Sequence, residues 1–288
     1  MPSAIITKPC VVCARTARET VLWIDTWHVA RCYGCGTHTL WPEPDHVQME
    51  EFDDGSGYEG AFVLREQLIA RHHSSLGAVE RFVGQGRLLD VGCGLGLLLE
   101  TARARGWQAV GVDPSPFSVA KARELGFEAH LGMLEDVDLP AGSFDAIALL
   151  QVVEHLPDPR PLLAACHLLL RPGGALLVAT PNPASALARA KRERFNYWIP
   201  PVHVAWYTPD SLSQLLRGNG FMIGRQSTWS ARSPSLHDGV DIVSALPLGD
   251  RLPYRAKRAL GGAIASVSDA IGRGSIVEHI ALRGEGDA

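Results

Sequence analysis

The chain reads as an α/β protein built on a doubly wound, largely parallel sheet, with a small four-cysteine unit in front of it. Three observations predict this. Two C-x2-C pairs flank an apolar, β-prone stretch, TVLWIDTWHVA, near the N-terminus. An apolar strand, RLLDVG, then runs directly into a glycine-rich turn. From there to about residue 180, strand and helix signals alternate, the pattern that gives parallel strands joined by crossover helices.

The first unit, residues 1–42, holds Cys10, Cys13, Cys32 and Cys35 as C-x2-C-x18-C-x2-C, the spacing of a four-thiolate tetrahedral zinc site. A reducing compartment favours metal over disulfides for such pairs. Four protein ligands fill the zinc shell and leave no place for a reactive water, so the zinc ribbon is expected to be structural. With few apolar residues of its own, it would depend on metal binding worth on the order of 10 kcal/mol. His28 and His38 read as supporting or solvent-facing residues, and Cys93 and Cys166 as ordinary reduced cysteines. The ribbon's purpose stays open between contacting a substrate, mediating a homodimer and bracing the acidic segment behind it.

That segment, residues 43–61, forms an acidic linker: Glu43, Asp45, Glu50, Glu51, Asp53, Asp54 and Glu59 occur without a Lys or Arg. Such a segment repels a phosphate backbone, and the formal net charge of −4 also argues against a nucleic-acid partner. The 288 residues, 46% hydrophobic and 20% charged, suit one full α/β domain with an appendage. No secretory leader or transmembrane run is read, and a cytoplasmic location is expected.

The core, residues 62–185, opens with a helix from about Phe62 to Val83, where apolar positions recur at helical spacing. Strands RLLDVG, QAVGVD, FEAHLG, FDAIALL and GALLVAT follow, with helices near 97–105, 116–125 and 161–170. In LLDVGCGLG the strand meets Gly92, Gly94 and Gly96, which let the backbone turn tightly and approach a ligand. Asp113 ends the next strand twenty-one residues after Gly92, where a carboxylate accepts from both ribose hydroxyls. Together these mark a nucleoside-containing cofactor. A dinucleotide fingerprint would need glycine at position 97, which is Leu97. Asp90, just before the turn, has no pyrophosphate-binding use but suits an ammonium-bearing nucleoside.

Residues 87–182 resemble class I methyltransferases, in particular the bacterial branch that includes ubiquinone-pathway O-methyltransferases. The resemblance is carried by DVGCGLG, GVDPS, LEDVDLPAGSFDAI, QVVEHLPDP, LRPGGALLVATPN and, later, HVAWYTPDSL followed by GF. It implies a Rossmann-like sheet and S-adenosylmethionine as cofactor. The implied cofactor-binding residues are Asp90, Gly92, Cys93, Gly94, Asp113, Pro114, Leu134, Glu135 and Gln151. Of these, Asp113 would bind the ribose, Leu134 and Glu135 would flank adenine, and Gln151 would face the methionine moiety. Met133 follows Gly132 where many relatives carry Asp, which shifts the adenine contact towards backbone groups.

Methyl transfer from a sulfonium is an in-line displacement, so the protein mainly aligns the acceptor and removes its proton. Two bases are candidates: His155, just past the fourth strand of the core, and His203, on an aromatic and Pro-rich loop able to cover the acceptor. His203 is favoured because a lid residue approaches from the side opposite the sulfonium; Glu154 could orient His155. The region 186–288 is expected to supply lid and substrate contacts and to complete the sheet, with Tyr197, Trp198, Trp206 and Tyr207 as a wall or as core. The basic run 188–195 would favour an anionic or phosphate-bearing acceptor if it borders the pocket. An amphipathic helix carrying Leu260, Ile264, Val267 and Ile271 suits packing on the core or a partner better than on lipid.

The leading reading is O-methylation of a small-molecule hydroxyl, such as that of a sugar or secondary metabolite. A zinc-ribbon RNA methyltransferase is the alternative, and a non-catalytic S-adenosylmethionine sensor a third. Amino-group transfer is disfavoured, because QVVEH replaces the Asn-Pro-Pro-Tyr loop of many such enzymes.

Overall fold

Apolar strands alternate with amphipathic helices through the middle of the chain, and the computed structural model, which describes residues 8–44, 64–231, 238–245 and 251–284, shows how they assemble. The acidic linker, apart from its first two residues, and the predicted start of the first helix lie outside the described residues. Within them the helix α1 spans Arg65–Val83. It leads to β4 (Arg87–Val91), α2 (Leu97–Ala104), β5 (Gln108–Asp113), α3 (Pro116–Glu124) and β6 (Glu128–Leu131). Then come β7 (Phe144–Leu150), α4 (Arg160–Leu169) and β8 (Leu170–Pro181).

Seven strands form the main sheet in the order β10-β11-β8-β7-β4-β5-β6, where β10 is Phe221–Trp229 and β11 is Ile276–Arg283. The strands β8, β7, β4, β5 and β6 run parallel, while β11 inserts antiparallel between β8 and β10. The order reverses between β4 and β7. Crevices at such a switch point, beyond the carboxyl ends of the strands, are where open α/β sheets take ligands.

Burial on both faces explains why the central strands are almost continuously apolar. One face packs Leu89, Ile147, Leu149 and Val178 against α4 and against α6 (Pro209–Gly218). The other packs Leu88, Ala146, Ala148 and Leu177 against α1 and α2. Buried Glu278 of β11 ties α1 to the sheet, pairing with Arg71 at 2.6 Å and accepting from Ser75 Oγ at 2.7 Å. Strand β8 begins earlier than the apolar run GALLVAT predicts. Leu170 pairs with Phe144, and Arg171 anchors on Asp145 at 2.7 Å, which draws the RPGG segment into the strand.

The N-terminal unit is a hairpin of β1 (Arg18–Ile24) and β2 (Trp27–Cys32), followed by β3 (His38–Trp41). Its sheet has a fourth strand, from a segment whose sequence predicts a loop: β9, Ala205–Trp206, pairs antiparallel with His38 and Thr39. The apolar core of the ribbon is correspondingly shared. Val29 and Leu40 pack with Leu187, Phe195, Trp198, Val204 and Trp206 from the region after β8. That region contributes α5 (Ala186–Lys191), α7 (Asp238–Ser244), which no periodicity announces, and α8 (Tyr254–Ala270).

Candidate functional site

Strand β4 ends at Val91, and the chain then turns through Gly92 (φ 72°) and Gly94 (φ 48°), left-handed conformations that glycine adopts without strain. A Cβ on Gly92 would lie 2.8 Å from Val152 Cγ2, so the loop is closed to any side chain there. Asp113, at the end of β5, fixes the turn from the neighbouring strand. Its Oδ2 accepts the Gly94 N–H at 2.8 Å and its Oδ1 accepts the Ser115 N–H at 2.9 Å. Asp90 is buried behind it, and desolvation, reinforced by the Asp113 charge, raises its carboxyl well above the usual range.

The structure thus gathers Asp90, Gly92, Gly94 and Asp113 at the carboxyl ends of β4 and β5, with Pro114 exposed at the rim. Gln151 follows directly after β7 beside them. It is exposed, holds φ 58°, and is anchored by its N–H to Ala179 O at 2.8 Å. Glu135 is exposed on the turn Leu134–Asp136 after β6, whereas Leu134 is buried in the core. The Cys93 thiol turns towards Leu99, Val119 and Phe127, against Gly111, leaving its backbone to the loop.

Past Gln151 a helical turn, Val153–His155, carries the second group of predicted residues. His155 Nδ1 donates to Val202 O and His203 Nδ1 to Tyr197 O, each at 3.0 Å when both imidazoles are neutral. The two rings meet edge to face with centroids 4.8 Å apart. Burial lowers the pKa of both, that of His203 to about 3, so both are neutral at pH 7. They differ in access: His155 is half-buried, whereas His203 is 6% exposed.

Glu154 lies fully buried beside the pair. Desolvation pushes its carboxyl up to about 8, its Oε2 accepts from Thr180 Oγ1 at 2.8 Å, and its Oε1 has no partner among the described residues. One ligand atom from each of Glu154, His155 and His203 falls within 4.8 Å of the others. Such an O/N/N set can hold a proton or a divalent cation. Thr180 goes unnoticed in the sequence, where its only signal is its place at the end of a buried strand. Trp198, Trp206 and Tyr207 are buried and belong to the core rather than to an open wall. Burial pushes the Tyr207 phenol well up, and its hydroxyl has no partner among the described residues.

The four ribbon cysteines converge as their spacing predicts. Their thiols lie within 4.8 Å of one another, with Sγ separations of 3.6 Å for Cys10 and Cys35 and 3.5 Å for Cys13 and Cys32. Tetrahedral zinc with Zn–S bonds of about 2.3 Å requires S···S edges of about 3.8 Å, which these two separations meet within a few tenths. His28 and His38 are engaged elsewhere, with Thr20 Oγ1 and Gly36 O.

The profile of a methyltransferase domain matches residues 64–224, more than half of the chain. The chain belongs to the methyltransferase-domain family. A ubiquinone biosynthesis O-methyltransferase from Rhodopseudomonas palustris (strain BisB5) is 37% identical over 153 residues, which are 49% of this chain and 60% of that protein. The chain therefore spans about 60% of the length of the curated relatives it matches. Among solved structures, a SAM-dependent methyltransferase from Archaeoglobus fulgidus superposes with a TM-score of 0.54 at 21% identity, covering 76% of this chain and 94% of that one. The complex between the Haloferax volcanii Trm112 methyltransferase activator and the putative methyltransferase matches with a TM-score of 0.56 at 16% identity, over 81% and 98%. These two likenesses support the class I S-adenosylmethionine-dependent fold of the methyltransferase domain.

In this methyltransferase domain the Gly92 turn and Asp113 fit a nucleoside. Asp113→Ala is expected to weaken S-adenosylmethionine binding about 100-fold, because it removes a charged acceptor and the anchor of the Gly94 and Ser115 amides together. Calorimetric titration with the demethylated product checks this. Equal affinity of variant and parent would remove Asp113 from the cofactor site.

Proposed function

We propose that the protein methylates a hydroxyl group of a small molecule, a sugar or a secondary metabolite, and that the four thiols hold a structural zinc ion. The observation that carries the reading is the pair of neutral histidines on a fully buried carboxyl at the end of β7. A hydroxyl acceptor must lose a proton as it attacks, and such a pair supplies a proton acceptor at neutral pH. The O-methyltransferase names of the curated relatives point the same way.

S-adenosylmethionine, when bound, supplies an electrophilic methyl group on a good leaving group. Asp113 would accept from the ribose hydroxyls, and the glycine turn would allow the backbone to approach. Asp90 needs a cation beside it to stay ionised, and the ammonium of the cofactor would be that partner. Gln151 would line the methionine side. His155, the more accessible imidazole, takes the acceptor proton on Nε2 while Nδ1–H stays bonded to Val202 O. His203 packs edge-on against it and, with the bond to Val202 O, would hold the ring in place. Cys93, Pro114, Leu134 and Glu135 would contribute backbone and rim contacts to the adenosine.

The test is a transfer assay with labelled methyl donor against hydroxylated metabolites, glycans, including anionic ones, and RNA. Label in metabolites or glycans is the expected result. Label in RNA in preference to every metabolite would overturn the reading, and binding of the cofactor without transfer to any acceptor would mark a sensor.

A further inference from the structure

The helix α8 and the short helix α7 form an excursion between β10 and β11 that the cofactor site does not use. The helix is held from one side only. Gly261, Ala265 and Ser268 are buried, while Leu260, Val267 and, just past its end, Ile271 remain 46%, 60% and 66% exposed. At about 3.6 residues per turn, Leu260 and Val267 share an arc with Ala256, Ala259 and Ala263, all three exposed. Arg255, exposed, borders this arc on one side, while on the other the half-buried Lys257 turns back to Ser244 Oγ at 3.1 Å. An apolar arc beside exposed arginines is the pattern of a helix lying in a membrane interface, its basic stems reaching up to the headgroups.

Charge supports the same occupant. Residues 251–268 contain Arg251, Arg255, Lys257 and Arg258 and no acid. Three of these cations fall at the start of the helix, where its dipole is positive and no side chain caps it. Among the described residues no carboxylate pairs with Arg251, Arg255 or Arg258. A second basic segment lies nearby: α5 packs on α7, and α7 on α8. There Lys191 turns inward to Asp241 at 3.0 Å, whereas Arg189 and Arg194 are exposed. A nucleic acid would use the arginines but leave the apolar arc in water, and a second copy of this basic face would repel the first. An anionic bilayer satisfies both halves.

We propose that the α8 face docks the protein on an anionic lipid surface. This is attachment to one leaflet and not insertion across it, since no described helix is long and apolar enough to cross a membrane. The sequence alone favours packing of this helix on the core or a partner; its apolar arc, however, faces outward.

Flotation of the full chain with vesicles of phosphatidylcholine, with or without phosphatidylglycerol, tests the proposal. The expected result is binding at least about 10-fold tighter with phosphatidylglycerol present, weakened by salt. Arg255→Glu with Arg258→Glu is expected to lower it by about 30-fold or more, and Val267→Asp to lower it comparably. Unchanged affinity for the demethylated cofactor product verifies the fold of each variant; should Val267→Asp unfold, Leu260→Ser with Ile271→Ser probes the same arc. Absence of binding to either vesicle overturns the proposal, as does equal binding to both. So does binding of single-stranded RNA that needs the arginines but not Val267, or a dimer in light scattering that Val267→Asp dissociates.

Discussion

Cys32→Ser is expected to empty the proposed zinc site and to cut turnover severely while leaving cofactor affinity within about twofold. Structural zinc contributes on the order of 10 kcal/mol to the folding of such a unit, and Cys32 closes β2 as well as donating a thiol. The loss spreads through one route. Leu40 N–H donates to Val204 O at 2.8 Å, and Val204 N–H donates to Glu154 O at 2.8 Å, so β3 holds the segment that carries His203, and that segment holds the turn that carries His155. The Gly92 turn and Asp113 sit on β4 and β5 and share none of these bonds. Metal analysis, calorimetry with the demethylated cofactor product and kcat with any accepted substrate read the three quantities separately. Loss of metal with kcat unchanged would show that the ribbon is an independent appendage.

The second large effect is expected at the histidines. His155→Ala should lower kcat by about 100- to 10,000-fold, the usual cost of losing a general base, with cofactor affinity intact. His203→Ala should cost less and act through ring placement, so His203→Asn, which keeps a donor for Tyr197 O, should restore part of the rate. The pH profile gives an independent readout. Burial lowers the pKa of His155, so the group is unprotonated and competent throughout the neutral range. The acid limb of kcat should therefore fall below pH 6.5, the ordinary imidazole value. Full turnover in His155→Ala would transfer the role to His203 or to solvent, and an acid limb above pH 6.5 would rule out either buried imidazole as the base.

The parallel core was legible because its strands are buried on both faces and so appear as uninterrupted apolar runs. The glycine turn was legible because a left-handed backbone demands a residue type. Gln151 adopts a left-handed conformation too, but nothing in glutamine announces it; only its anchor on Ala179, brought alongside by β8, holds it there. The C-x2-C pairs announced their cluster because that spacing turns two thiols towards one metal ion. Strand β9 was invisible, since two residues carry no periodicity and their partners, His38 and Thr39, lie far upstream in the chain. The aromatic residues 197–207 showed that a core or a wall existed but not which, because ring type does not encode which face of a loop turns inward. Access likewise separates the two histidines: a residue on a lid loop reads as mobile and open, yet Tyr197 O and the ring of Trp206 enclose His203.

The shared sheet of β1, β2, β3 and β9 also fixes an order of events in synthesis. Chains emerge N-terminus first, and pairings between distant segments are the slowest to form. The strands β1 to β3 and their four thiols leave the ribosome early, but the strand that completes their sheet arrives only after the whole parallel core has been made. Until then His38 and Thr39 present an open edge and Val29 and Leu40 lack Trp206 as cover. An older part of the nascent chain is thus closed after a younger one, so metal capture during translation would protect an edge that the protein cannot yet protect for itself.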